Sequence, residues 1–272
     1  MDNEKVYDAC HDDPSSLDYE YEEVFGAAEA VTEGVLLACP DIQNQGERLK
    51  SRMGCTRYGL VHGANAVNYA AASTGAKEYE PIDAFEMWSR YVDVEVQAER
   101  VGATLQSALD QARKEGIISG YAKLFTVEQV EASIEAFRPV YTGSLNGDWS
   151  HVITEKVYRE RTDGRTAGHA FVIVGFDKKN RVFIAVNSYG RENGYFRIPY
   201  SLLGTLYSKY SLVDAKDEKL IYDYRNRIME GISIEDAKKA FEENIWNGLN
   251  PKEPATREEV AAMIHRALEQ LK

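Results

Sequence analysis

The 272-residue sequence predicts an α+β protein with a small helical extension at its C-terminal end. Three observations carry that reading. Helical periodicity dominates the chain before Pro139, short β-branched and aromatic runs follow it, and amphipathic helical patterns return after Asp214.

The N-terminal stretch up to about Glu23 is acidic and polar, and Asp12-Asp13-Pro14-Ser15-Ser16 reads as irregular chain, so residues 1–25 are taken as an arm that Tyr19 and Tyr21 anchor at most locally. From Leu60 onward, Leu60, Ala64, Val67 and Ala71 keep the spacing of one buried helix face, in a helix that starts at or just before Cys55. Leu105, Ala108, Leu109 and Ala112 repeat the pattern, with Gly116 where a glycine stop belongs. Thr126-Val127-Glu128-Gln129 has capping-box form ahead of Val130, Ile134 and Phe137.

Beyond Pro139 the runs Val140–Thr142, Ala170–Val174 and Val182–Val186 read as strands. Asp177-Lys178-Lys179-Asn180 between the last two has turn composition, so those strands are expected to pair antiparallel. After Lys216-Asp217-Glu218-Lys219, Ser233-Ile234-Glu235-Asp236 and Thr256-Arg257-Glu258-Glu259 open two amphipathic helices. Two helices alone bury little, so residues 214–272 should dock on the main domain or on a partner.

Composition excludes several functions. A formal charge of −12 disfavours sequence-independent binding to nucleic acid or to an anionic polymer. The densest basic stretch, Arg48-Leu49-Lys50-Ser51-Arg52, reads as a loop at the mouth of a site. No apolar run approaches the ~20 residues that a bilayer requires, so no membrane partner is called. The first residues lack the layout of a secretory signal, and Cys10, Cys39 and Cys55 are too few and too scattered for a disulfide framework. At most a Cys10–Cys39 bridge is conceivable. These features suggest a cytoplasmic or virion-associated protein. No Cys/His cluster has metal-ligand spacing and no glycine loop matches a phosphate cradle, so no cofactor is called.

The chemistry centres on Cys55. A thiol of ordinary pKa is mostly protonated at neutral pH and becomes a nucleophile beside a helix N-terminus or a histidine. Cys55 follows Gly54 and opens a predicted helix. Five histidines compete for the role of base. His11 lies in the arm, His265 in the last helix, and His62 about 10 Å along the helix of Cys55. His151 sits in a predicted loop and stays as a substitute, while His169 begins the strongest strand. Asn187 ends the next strand, where the hairpin brings it to the matching end, and its amide oxygen can hold the imidazole in one tautomer. Gln45, in Asn44-Gln45-Gly46, is placed in order to supply an oxyanion donor together with the Cys55 backbone N–H.

Asn44-Gln45-Gly46, Gly54-Cys55, Gly168-His169-Ala170 with Val174-Gly175-Phe176, Asn187-Ser188-Tyr189-Gly190 and Asn193-Gly194-Tyr195-Phe196-Arg197-Ile198 occur in an order that resembles the papain family of cysteine peptidases, over residues of about 26–213. The resemblance implies a two-lobed fold, a helical lobe against an antiparallel sheet lobe. It implies Cys55 as nucleophile, His169 as base, Asn187 as orienting residue and Gln45 as oxyanion residue, acting on a protein or peptide. Thr56 and Tyr189 stand where the family usually has tryptophans, and about four extra residues separate Gln45 from Cys55. The alternative is a papain-like binding or structural module with little turnover, as in a phage or viral particle. Ile245-Trp246-Asn247-Gly248 and Asn250-Pro251 before the last helix resemble part of an S-layer homology repeat, which adds a docking partner or a cell-wall component as an expected partner of the tail.

Overall fold

The computed structural model describes residues 9–10, 19–25, 28, 30, 32–49, 54–73, 78–91 and 103–213. In chain order these form β1 (Ala9–Cys10), β2 (Tyr19–Glu20), α1 (Tyr21–Phe25), β3 (Gly34–Leu36), α2 (Gln45–Arg48), α3 (Cys55–Ser73), α4 (Ala84–Tyr91), β4 (Ala103–Thr104) and α5 (Leu105–Lys114). There follow β5 (Gly120–Leu124), α6 (Val127–Glu135), β6 (Val140–Ser144), α7 (Trp149–Glu155), β7 (His169–Asp177), β8 (Val182–Val186), β9 (Tyr195–Pro199) and β10 (Tyr207–Val213). The two helices expected after Asp214, and the stretch expected to resemble an S-layer homology repeat, fall in 214–272, outside the described residues, as do His11 and His265.

Among the described residues one eight-stranded sheet runs in the order β2-β5-β10-β6-β7-β8-β9, with β3 also paired to β7. All of its pairings are antiparallel except β2 with β5. β7 is the axis of the molecule. Ala170 through Val174 are fully buried, which explains a continuous apolar run where a half-exposed strand would alternate. One core packs α3, α4 and α5 around Leu60, Trp88, Leu109 and Tyr210; a second joins α6 and α7 to the sheet through Ile134, Trp149, Phe171 and Phe183. This is the expected α+β, papain-like division into a helical lobe and a sheet lobe.

The local signals act as the sequence suggests. Thr104 caps α5, accepting from Ser107 N–H. The helix ends in a Schellman motif, in which Ile117 N–H donates to Ala112 O at 2.8 Å and Gly116 N–H to Arg113 O at 3.1 Å. Gly116 takes φ +70, which a side chain would strain. Thr126 and Gln129 close the reciprocal capping box of α6. Asp177 accepts from Asn180 N–H at 3.0 Å and turns the β7–β8 hairpin.

Elsewhere long-range pairing overrides local reading. Gly-Tyr-Ala-Lys-Leu has weak strand propensity, yet its partner β10 makes β5 a strand. The acidic arm docks where Tyr19–Glu20 pair with β5 and Tyr21 inserts, 3% exposed, into the core. Trp149-Ser150-His151 is helical and not a loop, because Asp148 caps α7 by accepting from His151 N–H; seven residues are too few to show a period. Cys39 is a buried free thiol, so no Cys10–Cys39 bridge exists. No helix among the described residues is long and apolar enough to cross a membrane.

Candidate active site

Cys55 is the first residue of α3, and Gly54 O accepts from Arg57 N–H at 3.1 Å and Tyr58 N–H at 3.0 Å, so the helix opens directly at the sulfur-bearing residue. The N–H groups of a first turn have no helical partners and favour negative charge. Tyr141 on β6 donates its hydroxyl to Thr56 O at 2.8 Å and pins this turn to the sheet. One turn further on, Gly59 lets α3 lie against β7; a Cβ there would stand 3.1 Å from both Phe171 Cα and Phe171 N. Gly63 faces the Val172 side chain. Helix and strand therefore run the same way, and Cys55 lies one helical turn before Gly59, on the side of the end of β7 that begins with His169.

Asn187, Tyr189 and Trp149 hold the ring of His169. Its Nε2 lies 2.7 Å from Asn187 Oδ1. The same Oδ1 accepts from Ser188 N–H at 2.8 Å, which identifies that atom as the amide oxygen. Nε2 therefore carries the proton and Nδ1 the lone pair. Tyr189 stacks on one face of the imidazole, with ring centroids 5.0 Å apart and planes 17° apart. Trp149 closes on the ring at 4.5 Å and 64°, while its indole N–H donates to Ala167 O at 2.8 Å. Burial pushes the His169 pKa down to about 4, against the opposing effect of the Asn187 bond, so the ring is neutral at physiological pH.

The hairpin explains the meeting of His169 and Asn187. Val172 pairs with Val186. One step along, Asn187 falls beside Phe171, and His169 shares the sheet face of Phe171 two residues away.

Gln45 starts α2 and is joined to the same segment. Its N–H donates to Ser188 O at 3.0 Å, and its Oε1 accepts the Ser188 hydroxyl at 2.9 Å. With the oxygen turned to Ser188, the NH2 is the other end of the amide. Ser188 thus ties Gln45 to the segment that carries Asn187. In the sequence Ser188 stands out only as part of a motif, and Trp149 carries no signal of its own. Their roles rest on contacts across 18 residues or more. From α7 it is Trp149, not His151, whose ring contact with His169 is seen.

Cys55, His169, Asn187 and Gln45 are each 0% exposed, so the site is closed over the sulfur in this conformation. Arg48 pairs with Asp83 and covers the Phe85 ring at 4.0 Å, so the basic stretch is engaged in packing at that end. Among the described residues no group of three His, Cys, Asp or Glu side chains is arranged to hold a metal ion.

The fold and this site define a cysteine-type peptidase of papain-like architecture. Residues 49–215 match the Peptidase_C39 like family, and the chain belongs to that family. Two solved structures share the fold. Xylellain, a cysteine protease from Xylella fastidiosa, is 16% identical with a TM-score of 0.58, covering 77% of this chain and 96% of its own. Procathepsin B S9 from Trypanosoma congolense is 14% identical with a TM-score of 0.56, covering 77% and 86%. No curated protein matches the chain.

Proposed function

We propose that the chain hydrolyses peptide bonds through Cys55, His169 and Asn187, with Gln45 completing an oxyanion hole. The observation that carries this is the 2.7 Å His169–Asn187 bond, whose tautomer leaves the Nδ1 lone pair as the base, on the strand that α3 packs against. Nδ1 takes the Cys55 thiol proton and the thiolate attacks the scissile carbonyl carbon. The C–S bond forms as the carbonyl electrons move to oxygen, where the Gln45 amide and the Cys55 backbone N–H stabilise the charge. The imidazolium returns its proton to the leaving amine, the C–N bond breaks, and a thioester remains. Water, losing a proton to His169, adds to the thioester; release of the acid restores the thiol. Asn187 keeps the ring in register throughout.

The substrate class is a protein or peptide chain. The closed site favours one rival, a papain-like module with little turnover. Iodoacetamide at neutral pH separates the two: a poised thiolate at Cys55 is alkylated rapidly, whereas a sealed structural thiol is not. Cys55→Ala should abolish cleavage of a fluorogenic peptide library with the circular dichroism spectrum intact, and retained cleavage would sink the assignment. The family match ends at residue 215, so the tail is assigned a docking role on its sequence pattern alone. Removing 214–272 is then expected to spare cleavage of small peptides.

A further inference from the structure

The segment that leads into Gln45 leaves the sheet after Leu37, whose N–H donates to Val174 O at 2.8 Å. It is then held largely by side chains. Cys39 N–H donates to the Tyr195 hydroxyl oxygen at 2.8 Å, Tyr79 donates its hydroxyl to Asp41 at 2.6 Å, and Arg191 donates to Pro40 O at 3.0 Å. The last hold before Asn44 comes from α3. Gln43 N–H donates to His62 Nε2 at 2.9 Å, and the Cys39 thiol lies 3.5 Å from the His62 carbonyl. The Gln43 side chain then clamps Ile82 O at 2.7 Å and Ala84 N–H at 2.8 Å. Asn65, one turn along α3 from His62, grips Ile82 from the other side through both its N–H and its carbonyl.

His62 is fully buried, and Nε2 as acceptor puts its proton on Nδ1, which meets no hydrogen-bond partner among the described residues. An apolar residue would avoid burying that N–H but would strand the amide of Gln43. Burial pushes the His62 pKa down to about 3, so the ring stays a neutral acceptor.

We propose that His62 is a positioning residue for the oxyanion hole: by accepting the Gln43 amide it fastens the segment carrying Gln45 to α3, the helix whose first turn carries Cys55. Cys55 and His62, the anchor of the segment carrying Gln45, then lie on one rigid element, seven residues apart. The inference rests on the catalytic reading of Gln45 and Cys55, but the anchoring itself has a readout that needs no turnover.

The test compares His62→Gln, whose amide oxygen reaches the place of Nε2, with His62→Leu, which has no acceptor. If the leucine variant does not fold, His62→Asn, whose amide is too short to reach, takes its place. Hydrogen exchange at the amides of Gln43 to Gln45 should accelerate in the leucine variant and stay slow in the glutamine variant. With a fluorogenic peptide, kcat should fall on the order of 10- to 100-fold in the leucine variant, the range for a displaced oxyanion donor. KM and the rate of Cys55 alkylation by iodoacetamide should hold, since alkylation passes through no oxyanion, and the glutamine variant should stay close to wild type. Unchanged exchange at Gln43 in the leucine variant would overturn the anchor. A glutamine variant as impaired as leucine, or kcat and alkylation falling together, would overturn the positioning role. If the wild type cleaves no peptide, the proposed function fails, and the exchange result still decides whether His62 holds the segment.

Discussion

Two buried histidines should make the protein acid-labile from about pH 6.5 downward. Burial pushes His62 down to about 3 and His169 to about 4, from an ordinary value of 6.5. Both must be neutral to fold, so the unfolded chain binds more protons and stability falls as pH falls. Their contribution is fully present above about pH 6.5 and drains as pH drops toward the folded values, at about 1.4 kcal/mol per unit for each ring. By pH 4.5 the pair removes about 5 kcal/mol, against the roughly 5–15 kcal/mol that stabilises a typical domain. Asp83, Glu115 and Asp148 act later. Burial would raise them, but bonds from Arg48, Arg90 and Arg159 outweigh it and hold them below their ordinary range. The assay is urea unfolding from pH 7.5 to 4.5 in Cys55→Ala, which keeps thiol ionisation out of the profile. Adding His62→Gln should roughly halve the pH slope. A flat profile between 6.5 and 4.5, or the same slope with His62 replaced, would refute the reasoning.

Three further outcomes follow from the geometry. Asn187→Ala releases the Nε2 proton of His169 from its acceptor, so kcat should drop about 100-fold through loss of ring orientation, with peptide KM little changed in steady-state kinetics. Cys39, whose thiol burial and the charge of Asp41 push up to about 12, should stay unlabelled by iodoacetamide at pH 8 while Cys55 reacts, as read by peptide mass spectrometry. Gly59→Ala drives a methyl against the backbone of Phe171, so thermal unfolding should show about 1–3 kcal/mol of destabilisation; kcat should fall with it, because Cys55 shifts relative to His169.

Features that depend on a few consecutive residues were legible in the sequence. The Thr126–Gln129 box, the glycine stop at Gly116, the Asp177–Asn180 turn and the helix opening at Cys55 each require only near neighbours. So did the α+β class, since periodicity is a local property summed along the chain. The meeting of His169 with Asn187 was also legible, because a short hairpin converts sequence position into register. β5 was not, for its strand state comes from β10 nearly ninety residues later.

The sequence by itself therefore determined the class, the element boundaries around Cys55 and the identity of the candidate site residues. Only the tertiary structure decided that Trp149 and Tyr189 enclose His169, that Ser188 turns the amide of Gln45, and that His62 holds the segment before it. The reason is physical: propensity and period act over one or two turns, whereas each of these contacts joins segments that only the folded chain brings side by side.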